Sequence, residues 1–465
     1  MVDFGAPLAV NPLAILLLTS ADPAAFAATG NFMSMPFPQA LTDPAIDRVV
    51  LINDFSEVRG GAAALVVLLL QALRKMKIPV TLVTGDQGQD LKHLGKGVEV
   101  VSLNKESLLN RPAGKALTEG IYSPSAKTLL SDWITRNDTA NTVYHLHNWS
   151  HILSPSIFVA LRPVWKRTVL HAHDYFLACP NGAFANYQTG LACPLRPMSV
   201  ACLATNCDRR SYLHKLWRVG RHGSRLLLWN SDNRPTDIFL IHEDMKEPFV
   251  RSGFDSSHLI TVRNPSSAFS NDRVAAESNR EYVFIGRVVE EKGIDDFLEA
   301  AESAGVPARV IGDGSKLSEL RQRYPDVIFD GWRSRAEIAQ LIQSARIAVV
   351  CSRYPEPFGL VIVEALASGL PVIIPRTALL SREVSTKRIG ISYDPHHAGE
   401  LAEFFRSTAA DDVLVETMSR QAYALRDDLS LAPDEWSARI LAHYRSLLRP
   451  PTRASAPSST ARLQF

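Results

Sequence analysis

Short apolar runs rich in β-branched residues alternate with longer stretches of helical periodicity from residue 48 onward. In the first half of the chain the runs that predict strands are RVVLIND (48–54), PVTLVTG (79–85), VEVVSL (98–103), TVYHLHNW (142–149), RTVLHAHD (167–174), TDIFLIHE (236–243) and LITVRNP (259–265). Strands that alternate with helices indicate a parallel sheet with crossover helices.

A second series begins after the polar stretch SSAFSNDRVAAESNR (266–280), which predicts a linker between two domains. Its strands are YVFIGR (282–287), ARVIGDG (308–314), VIFDGW (327–332), RIAVVCSR (346–353), PVIIPR (371–376) and IGISYDP (389–395). The pattern predicts an α/β fold of two Rossmann-like, doubly wound parallel-sheet domains. Ligands of such sheets bind at the carboxyl ends of the strands, so we expect a cleft there.

Length and composition agree with two domains in a reducing compartment. The 465 residues exceed one ordinary domain, and five cysteines are too few for a disulfide scaffold. We divide the chain into a poorly defined N-terminal extension (1–46), an N-terminal domain (47–270), a C-terminal domain (271–448) and a disordered tail rich in Pro, Ser and Thr (449–465).

Charge and hydropathy exclude some classes of partner. Lys and Arg number 50 against 48 Asp and Glu, a net charge of +2, so no global field favours nucleic acid. The longest apolar run, GAAALVVLLLQAL (61–73), is shorter than the roughly 18 residues of a membrane span. The apolar segment at 8–28 is interrupted by Pro12 and lacks a preceding basic residue, so we interpret it as an extension and expect a cytoplasmic protein.

Two glutamates, Glu356 and Glu364, lie in the otherwise apolar stretch CSRYPEPFGLVIVEALASGLPVIIP (351–375). Pro357 and Gly359 predict a loop after a strand, and LVIVEALAS predicts the helix that follows. Buried carboxylates need donors, and vicinal hydroxyls of a ribose or hexose are suitable ones. The alternative is a first-turn glutamate that stabilises its helix dipole, with the other glutamate in a solvated loop.

Two cations follow the first strand of the C-terminal domain, in YVFIGRVVEEKGIDDFLEA (282–300). Arg287 and Lys292 could stabilise a leaving diphosphate at the end of the sheet. They could equally be neutralised by Glu290 and Glu291 as surface pairs. The chain contains no D-x-D, the usual carboxylate signature for a metal-bound diphosphate.

The ordered motifs G-R-x4-K-G, V-I-G-D-G, Gly331-Trp332 and E-P-F-G-L-x-x-x-E-A-x-A-x-G-x-P-V-I resemble retaining glycosyltransferases of family four. The resemblance runs almost continuously from about 281 to 395 and implies the GT-B architecture, with an N-terminal acceptor domain and a C-terminal nucleotide-sugar domain. It implies these donor-side positions: Glu356 for the transferred sugar, Glu364 for the ribose, Arg287 and Lys292 for the diphosphate, Gly286, Phe358, Gly359, Leu360 and Val361 beside sugar and phosphate, and Gly331 and Trp332 beside the nucleobase.

The N-terminal domain carries weaker parts of the same resemblance. Gly60 and Gly61 resemble the family's glycine pair before the first helix, His147 resembles the second histidine of its H-x-H, and His173 and Asp174 resemble an acceptor-side stretch. His147 would act near the donor sugar with Glu356, Arg287 and Lys292 as catalytic residues; a packing or capping histidine is the alternative. His242 departs from the serine that is common at its position.

Four cysteines, Cys179, Cys193, Cys202 and Cys207, cluster in an insertion at about 179–207. A structural zinc ion would close such a loop-rich segment, although the spacing lacks C-x2-C; small buried thiols without a metal are the other interpretation.

The segment 209–229 has six Lys and Arg residues and no acidic residue. It predicts a helix with Arg218, Arg221 and Arg225 near one face. Such a helix could lie on an anionic membrane, or it could present a solvated basic face while its apolar side packs on the domain.

The resemblance, together with these residues, implies a retaining, metal-independent glycosyltransferase that needs no cofactor. It would move a hexose from a UDP- or GDP-sugar to a glycan or lipid-linked acceptor in polysaccharide or lipopolysaccharide biosynthesis, with peripheral contact at the cytoplasmic face of the inner membrane through 209–229. The alternative is an inactive nucleotide-sugar-binding scaffold of the same fold. An epimerase or a phosphorylase fits the motif order less well, and a dinucleotide oxidoreductase is disfavoured because no strand is followed by G-x-G-x-x-G.

Overall fold

The computed structural model describes residues 44–56, 61–88, 98–229 and 237–449. Residues Asp43–Phe465 form one compact unit. The predicted extension 1–46, apart from its last three residues, and the predicted tail 449–465, apart from Arg449, lie outside the described residues. The predictions made for those two segments therefore stay predictions.

Among the described residues, the N-terminal half forms a seven-stranded sheet of order β3-β2-β1-β4-β5-β8-β9. All its strand pairs are parallel. The strands are β1 (Arg48–Asn53), β2 (Val80–Thr84), β3 (Val98–Ser102), β4 (Thr142–Leu146), β5 (Thr168–Ala172), β8 (Asp237–Leu240) and β9 (Leu259–Thr261), with a small antiparallel pair β6 (Ala185–Asn186) and β7 (Leu191–Ala192) in the cysteine-containing insertion.

The helices of this half are α1 (Gly61–Lys75), α2 (Ala113–Ile121), α3 (Pro124–Asn137), α4 (Ile157–Leu161), α5 (Val200–Ala204), α6 (Tyr212–Leu228) and α7 (Lys246–Arg251). The start of α3 illustrates the local sequence logic. Ser123 accepts a hydrogen bond from the Ala126 amide and Pro124 occupies the first helical position, where no amide donor is needed.

The C-terminal half forms a second sheet, also parallel, of order β12-β11-β10-β13-β14-β15. Its strands are β10 (Glu281–Ile285), β11 (Ala308–Ile311), β12 (Ile328–Gly331), β13 (Ala345–Val349), β14 (Val372–Pro375) and β15 (Gly390–Tyr393). Its helices are α8 (Ile294–Ala304), α9 (Leu317–Arg323), α10 (Arg335–Leu341), α11 (Leu360–Ala367), α12 (Ser381–Thr386), α13 (Glu400–Ala410), α14 (Asp412–Ala424), α15 (Arg426–Leu429) and α16 (Pro433–Leu448).

The predicted fold class is confirmed, because both sheets are parallel and doubly wound. Strand order reverses between β1 and β4 in the first sheet and between β10 and β13 in the second. Ligands of open α/β sheets bind at such switch points, beside the carboxyl ends of the strands. The topology therefore places the loops after these four strands at the functional position.

The last helix, α16, packs against the N-terminal sheet. Trp436, Ile440 and Tyr444 are buried in one apolar cluster with Leu51 of β1 and Leu69 of α1. The predicted range 271–448 assigned α16 to the C-terminal domain, whereas the structure makes it part of the N-terminal core. The other predicted domain limits stay predictions.

The chain consequently crosses twice between the two halves. Pro265 forms a parallel bridge with Leu431, and the Ser266 amide donates to the Leu431 carbonyl at 3.1 Å. A third tie involves side chains, since Glu383 of α12 accepts from His242 Nε2 at 3.2 Å and is also paired with Arg263. These contacts fix the mutual position of the sheets and thereby shape the cleft between them.

Candidate functional site

A cavity of about 630 Å³ lies between the two halves at the carboxyl ends of the strands. Both halves contribute to its wall. The predicted site residues that line it are Gly61, His173, Asp174, Gly286, Lys292, Glu356, Phe358, Gly359, Leu360, Val361 and Glu364. The structure therefore brings together in one cleft most of the residues that the sequence singled out.

Lys292 and Glu356 form an ion pair in this cavity. Lys292 Nζ lies 2.7 Å from Glu356 Oε2, which also accepts from Ser352 Oγ at 2.7 Å. Burial disfavours the charged ammonium, but the neighbouring Glu356 outweighs that effect and raises the pKa of Lys292. Lys292 is therefore a cation at neutral pH.

A glycine permits this arrangement. Gly293 has φ +68°, and a Cβ at that position would come within 2.0 Å of the Cys351 carbonyl oxygen. Only a residue without a side chain fits between the loop after β10 and the end of β13. Gly293 thus allows Lys292 to approach the segment that carries Glu356.

The amino terminus of α11 faces the same cavity. Gly359, with φ +67°, precedes the helix, and Leu360 and Val361 occupy its first turn with the free amides that every helix start leaves. Across the cleft, a Cβ on Gly61 at the start of α1 would lie 3.4 Å from Leu360 Cδ1. Two helix amino termini thus meet here, an environment that favours an anion such as a diphosphate.

Glu364 lies in the second turn of α11 and is paired with Arg335 at the start of α10. Arg335 Nη1 lies 2.6 Å from Glu364 Oε1, and the same guanidinium stacks 5.1 Å from the ring of Phe269. Burial raises the pKa of Glu364, and the Arg335 charge opposes the rise only in part. Glu364 is therefore a charged acceptor toward the cleft only where the pH leaves it ionised, since the protonated carboxyl is neutral and carries an O–H donor.

The three predicted residues that follow β4 and β5, His147 near the donor sugar and His173 and Asp174 on the acceptor side, divide into lining and supporting positions. His173 and Asp174 line the cavity, whereas His147 is buried behind them, with Nδ1 2.9 Å from His173 Nε2. Burial lowers the pKa of His173 to about 3 and lowers that of His147 well below its usual value. Both imidazoles are neutral, and His147 reaches the cleft only through His173.

Some predicted residues lie elsewhere. Arg287 pairs with Glu291 at 3.5 Å and lines a separate surface depression, which matches the surface-pair alternative. Gly331 ends β12, and Trp332 is 72% exposed; neither lines the cavity. Gly60 lies outside the described residues. The roles assigned to these four residues stay predictions.

The cysteine insertion is built around a buried lysine. Lys215 Nζ lies 3.0 Å from Cys207 Sγ and 3.6 Å from Cys202 Sγ. Burial raises the pKa of the Cys179 thiol to about 11, and each described cysteine is free. No cysteine belongs to a group of ligand atoms close enough to hold a metal ion in the described part of the chain, so the interpretation as small buried thiols fits better; a zinc ion at the four cysteines stays a prediction.

Helix α6 is oriented opposite to both expectations. Its cations point into the protein: Arg221 is 6% exposed, donates to the Ser150 carbonyl at 2.7 Å and stacks on Phe176. Its leucines point out, with Leu213 76% and Leu227 83% exposed. The prediction of an exposed basic face is wrong, because carbonyl and aromatic partners from distant segments satisfy the guanidinium groups inside.

Sequence reasoning missed several residues that shape the site. Ser352 and Arg335 hold the two glutamates, and Asp54 accepts hydrogen bonds from the backbone of the loop after β4, including the Ile152 and Leu153 amides at 2.9 Å. Asp54 ends the RVVLIND motif, a position at which an acidic residue signals a site. No sequence motif near Arg335 indicated its role, because its partner Glu364 lies 29 residues away in the chain.

Comparison with known proteins finds a family model that matches part of the C-terminal half. Residues 267–425 match the family model of glycosyl transferases group 1. The matched segment contains Lys292, Glu356, Glu364 and Arg335. It includes the range of about 281 to 395 over which the sequence resembles glycosyltransferases, whereas the assignment to retaining family four stays a prediction.

Two curated relatives extend the comparison. The chain is 27% identical over 285 residues to a glycogen synthase of Mycobacterium tuberculosis, covering 56% of this chain and 64% of that protein. It is 32% identical over 169 residues to a GDP-mannose-dependent alpha-mannosyltransferase of the same species, covering 35% of this chain and 42% of that protein. The chain thus spans about two thirds and two fifths of these relatives' lengths.

Among solved structures, Anabaena HepE in complex with UDP matches with a TM-score of 0.59 and 17% identity, covering 86% of this chain and 100% of that one. This similarity establishes the fold, two parallel-sheet α/β domains in the GT-B architecture. No helix in the described part of the chain combines the length and apolar character that a membrane crossing needs.

Proposed function

We propose that the protein is a retaining, metal-independent glycosyltransferase that transfers a hexose from a nucleoside-diphosphate sugar to a glycan or lipid-linked acceptor. The observation that carries the proposal is the cleft in which Lys292, Glu356, Glu364 and the amino terminus of α11 line one cavity. The group 1 family match and the GDP-mannose- and UDP-associated similar proteins support a nucleotide-sugar donor.

In the proposed complex the diphosphate lies between Lys292 and the amino terminus of α11. Charge grows on the β-phosphate as the glycosidic bond breaks, and a cation and free amides stabilise that charge. Lys292 carries its charge at neutral pH because its pKa is raised. These two groups supply the positive potential for which other transferases use a D-x-D-bound metal.

The two glutamates bind different parts of the donor. Glu356, four residues before α11, accepts hydroxyls of the transferred sugar, and Ser352 fixes the carboxylate by its 2.7 Å hydrogen bond. Glu364, one turn into α11, accepts ribose hydroxyls while Arg335 holds its other oxygen. Charged acceptors make stronger hydrogen bonds to hydroxyls than neutral ones do, so both contacts favour an ionised carboxylate.

The acceptor enters from the N-terminal half, where His173 and Asp174 line the cleft. His147 orients His173 through their 2.9 Å contact. Attack from the leaving-group face, with the phosphate accepting the proton of the acceptor hydroxyl, would retain the anomeric configuration without a carboxylate nucleophile.

The exposed apolar face of α6 supports a lipid-linked acceptor. Leu213 and Leu227, with Leu117 of the neighbouring α2, form this surface, which we call the leucine face. An apolar face of this kind inserts at the boundary of head groups and acyl chains. A lipid-linked acceptor at the cytoplasmic face of the inner membrane, as in polysaccharide or lipopolysaccharide assembly, would then be near the cleft-bearing domain.

Equilibrium binding of UDP, GDP and ADP without added divalent metal tests the donor site. One nucleotide should bind to the wild type and bind about 1–3 kcal/mol more weakly to Glu364→Gln, the usual cost of a lost charged hydrogen bond. Glu299→Gln is the matched control, because Glu299 is also paired with an arginine at 3.4 Å but lies on α8, outside the cavity lining.

Failure of all three nucleotides to bind would overturn the donor site. Binding without hydrolysis or transfer of the matching sugar nucleotide, over a panel of glycan and lipid-linked acceptors, would favour the inactive scaffold. Release of the sugar with inverted configuration, followed by NMR at the anomeric carbon, would contradict the retaining mechanism alone.

A further inference from the structure

Four histidines form a buried layer beneath the cleft. His145 and His147 come from the H-L-H at β4, and His171 and His173 come from the H-A-H at β5. Because β4 and β5 are parallel neighbours and side chains alternate along a strand, both pairs point to the same face of the sheet. The rings stack, with centroid distances of 4.0 Å between His145 and His147 and 4.2 Å between His171 and His173.

Several ring nitrogens of this layer have no protein partner. Within the described part of the chain, no hydrogen bond reaches His145 Nε2, His147 Nε2 or either nitrogen of His171, although these atoms are buried. Buried polar atoms are normally satisfied, so a group of unsatisfied imidazoles requires an explanation. The proposed glycosyl transfer uses none of these atoms.

One ring nitrogen from each of three of these histidines lies close to the other two. Ligand atoms of His145, His147 and His171 all lie within 4.8 Å of one another. A cavity of about 10 Å³ adjoins them and is lined by His147, His171 and His173. That space is about the size of one water molecule, too small for an organic ligand.

The remaining nitrogens have the partners that metal-binding histidines usually have. His145 Nδ1 lies 2.5 Å from the Tyr444 hydroxyl, and His147 Nδ1 lies 2.9 Å from His173 Nε2. If Nε2 binds a metal, Nδ1 carries the proton and donates it to such a partner, which fixes the tautomer and the ring orientation. Both pairs are consistent with that tautomer.

We propose that His145, His147 and His171 bind one transition-metal ion, of which Zn²⁺ fits the donor set, with a water molecule as the fourth ligand in the adjoining cavity. Imidazole is a preferred ligand of zinc, and a three-histidine site with one open position is a known zinc geometry. Zinc–nitrogen bonds of roughly 2.0–2.1 Å need the nitrogens about 3.4 Å apart, so the nitrogens move together by roughly an ångström. The rings of His145 and His171 lie nearly parallel, with an interplanar angle of 6°, so metal binding also turns these rings until their lone pairs point at the ion.

This ion has a positioning role and is separate from the donor diphosphate. The three ligands lie behind the cavity wall. An ion that fixes the ring of His147 also fixes the ring of His173, because His147 contacts His173 and His173 lines the cleft. Through Tyr444 the site also connects α16 to the N-terminal sheet. A metal site explains why H-x-H occurs on two adjacent strands. A single histidine near the sugar would explain only one residue of one motif.

Metal analysis of the full chain tests the site directly. Protein purified without a polyhistidine tag should contain about one equivalent of zinc by mass spectrometry, or take one up after chelation and dialysis. Co²⁺ substituted into the chelated protein should give the visible absorption of a four-coordinate site. His171→Ala should lower the bound metal to near zero, whereas His222→Ala, a buried histidine of α6 outside the layer, should keep it.

Tyr444→Phe provides a second, graded readout that does not depend on the folding of a ligand variant. Loss of the hydroxyl beside His145 should weaken zinc affinity about 10–100-fold while leaving one site per chain. A wild-type chain that neither contains nor takes up zinc, cobalt, nickel or copper would overturn the proposal. Metal that His171→Ala retains in full would overturn it as well, since the ion would then lie elsewhere.

Discussion

Lys292 Nζ lies 2.7 Å from Glu356 Oε2 across the floor of the cleft, so the cation proposed for phosphate and the carboxylate proposed for sugar neutralise each other. Each is only partly exposed. A buried ion pair gives little net stability, but loss of one partner leaves the other charge uncompensated. A nucleotide sugar would replace this mutual contact with a phosphate for Lys292 and hydroxyls for Glu356, which gives the pair a role in binding beyond its small contribution to stability.

Lys292→Met should weaken binding of the nucleoside diphosphate about 10–100-fold and leave binding of the corresponding nucleoside unchanged. The reason is that Lys292 is proposed to contact phosphate and not the ribose or base. Calorimetric titration of both ligands measures the difference. Lys316→Met is the control, because Lys316 is also paired with a carboxylate, Asp295, at 2.6 Å but lies outside the cavity lining. Equal losses for nucleoside and nucleotide would contradict the phosphate assignment.

Glu364 should make nucleotide binding depend on pH. Burial raises its pKa above 4.5, so the ionised form is lost as the pH falls through this raised value, and ribose binding is lost with it. Arg335→Met removes the charge that opposes the rise, so the loss should begin at a higher pH than in the wild type. Dissociation constants from pH 8 to pH 4.5 measure both effects.

Glu364→Gln supplies the control for that series, because its remaining pH dependence reports the phosphate alone. An Arg335→Met profile that coincides with the wild-type profile would show that the guanidinium does not hold the Glu364 carboxylate in its ionised form.

The side-chain contacts of Glu383 that join the two halves should weaken in acid. Burial opposes ionisation of Glu383, but His242, Arg263 and Lys387 together hold the pKa of Glu383 far below 4.5. A depressed carboxyl pKa contributes stability that is fully present above about 4.5 and is lost as the pH falls toward the folded-state pKa. Thermal unfolding should therefore separate wild type from Glu383→Gln clearly at pH 7 and progressively less below pH 4.5.

A surface pair provides the comparison. Glu416→Gln removes an exposed carboxylate that lies 2.8 Å from Arg420, and exposed pairs contribute about 0–1 kcal/mol. If Glu383→Gln and Glu416→Gln shift the unfolding midpoint equally at every pH, the buried contacts of Glu383 contribute no more stability than an exposed ion pair.

The leucine face should determine membrane contact. Leu213→Ser with Leu227→Ser should reduce binding to phosphatidylglycerol vesicles at least tenfold, since burying one leucine contributes about 1.5–3 kcal/mol. Vesicle flotation measures the bound fraction. Val413→Ser is the control, because Val413 is 74% exposed on α14 of the other half. Equal binding by the double variant and the wild type would contradict a membrane role for this face.

The strands and the cleft could be predicted from sequence because their signals are local. Runs of β-branched residues predicted β1 and β10, and the loop signals Pro357 and Gly359 placed Glu356 in the loop between a strand and a helix. The burial of Arg221 could not be predicted in this way. A helical pattern separates two faces but does not say which one points inward, and the partners of Arg221, such as the Ser150 carbonyl, are distant in sequence.

The position of α16 shows the same limit and permits a direct test. The sequence placed this segment in the C-terminal domain, and only the folded chain shows that Trp436 is completely buried against the N-terminal sheet. Trp436→Ala should lower the free energy of unfolding by about 3–5 kcal/mol, because it removes the ring and leaves a cavity. Trp332→Ala, which truncates an exposed tryptophan, should change it by less than about 0.5 kcal/mol. Urea unfolding followed by circular dichroism measures both, and similar values for the two variants would mean that α16 contributes little to the N-terminal core.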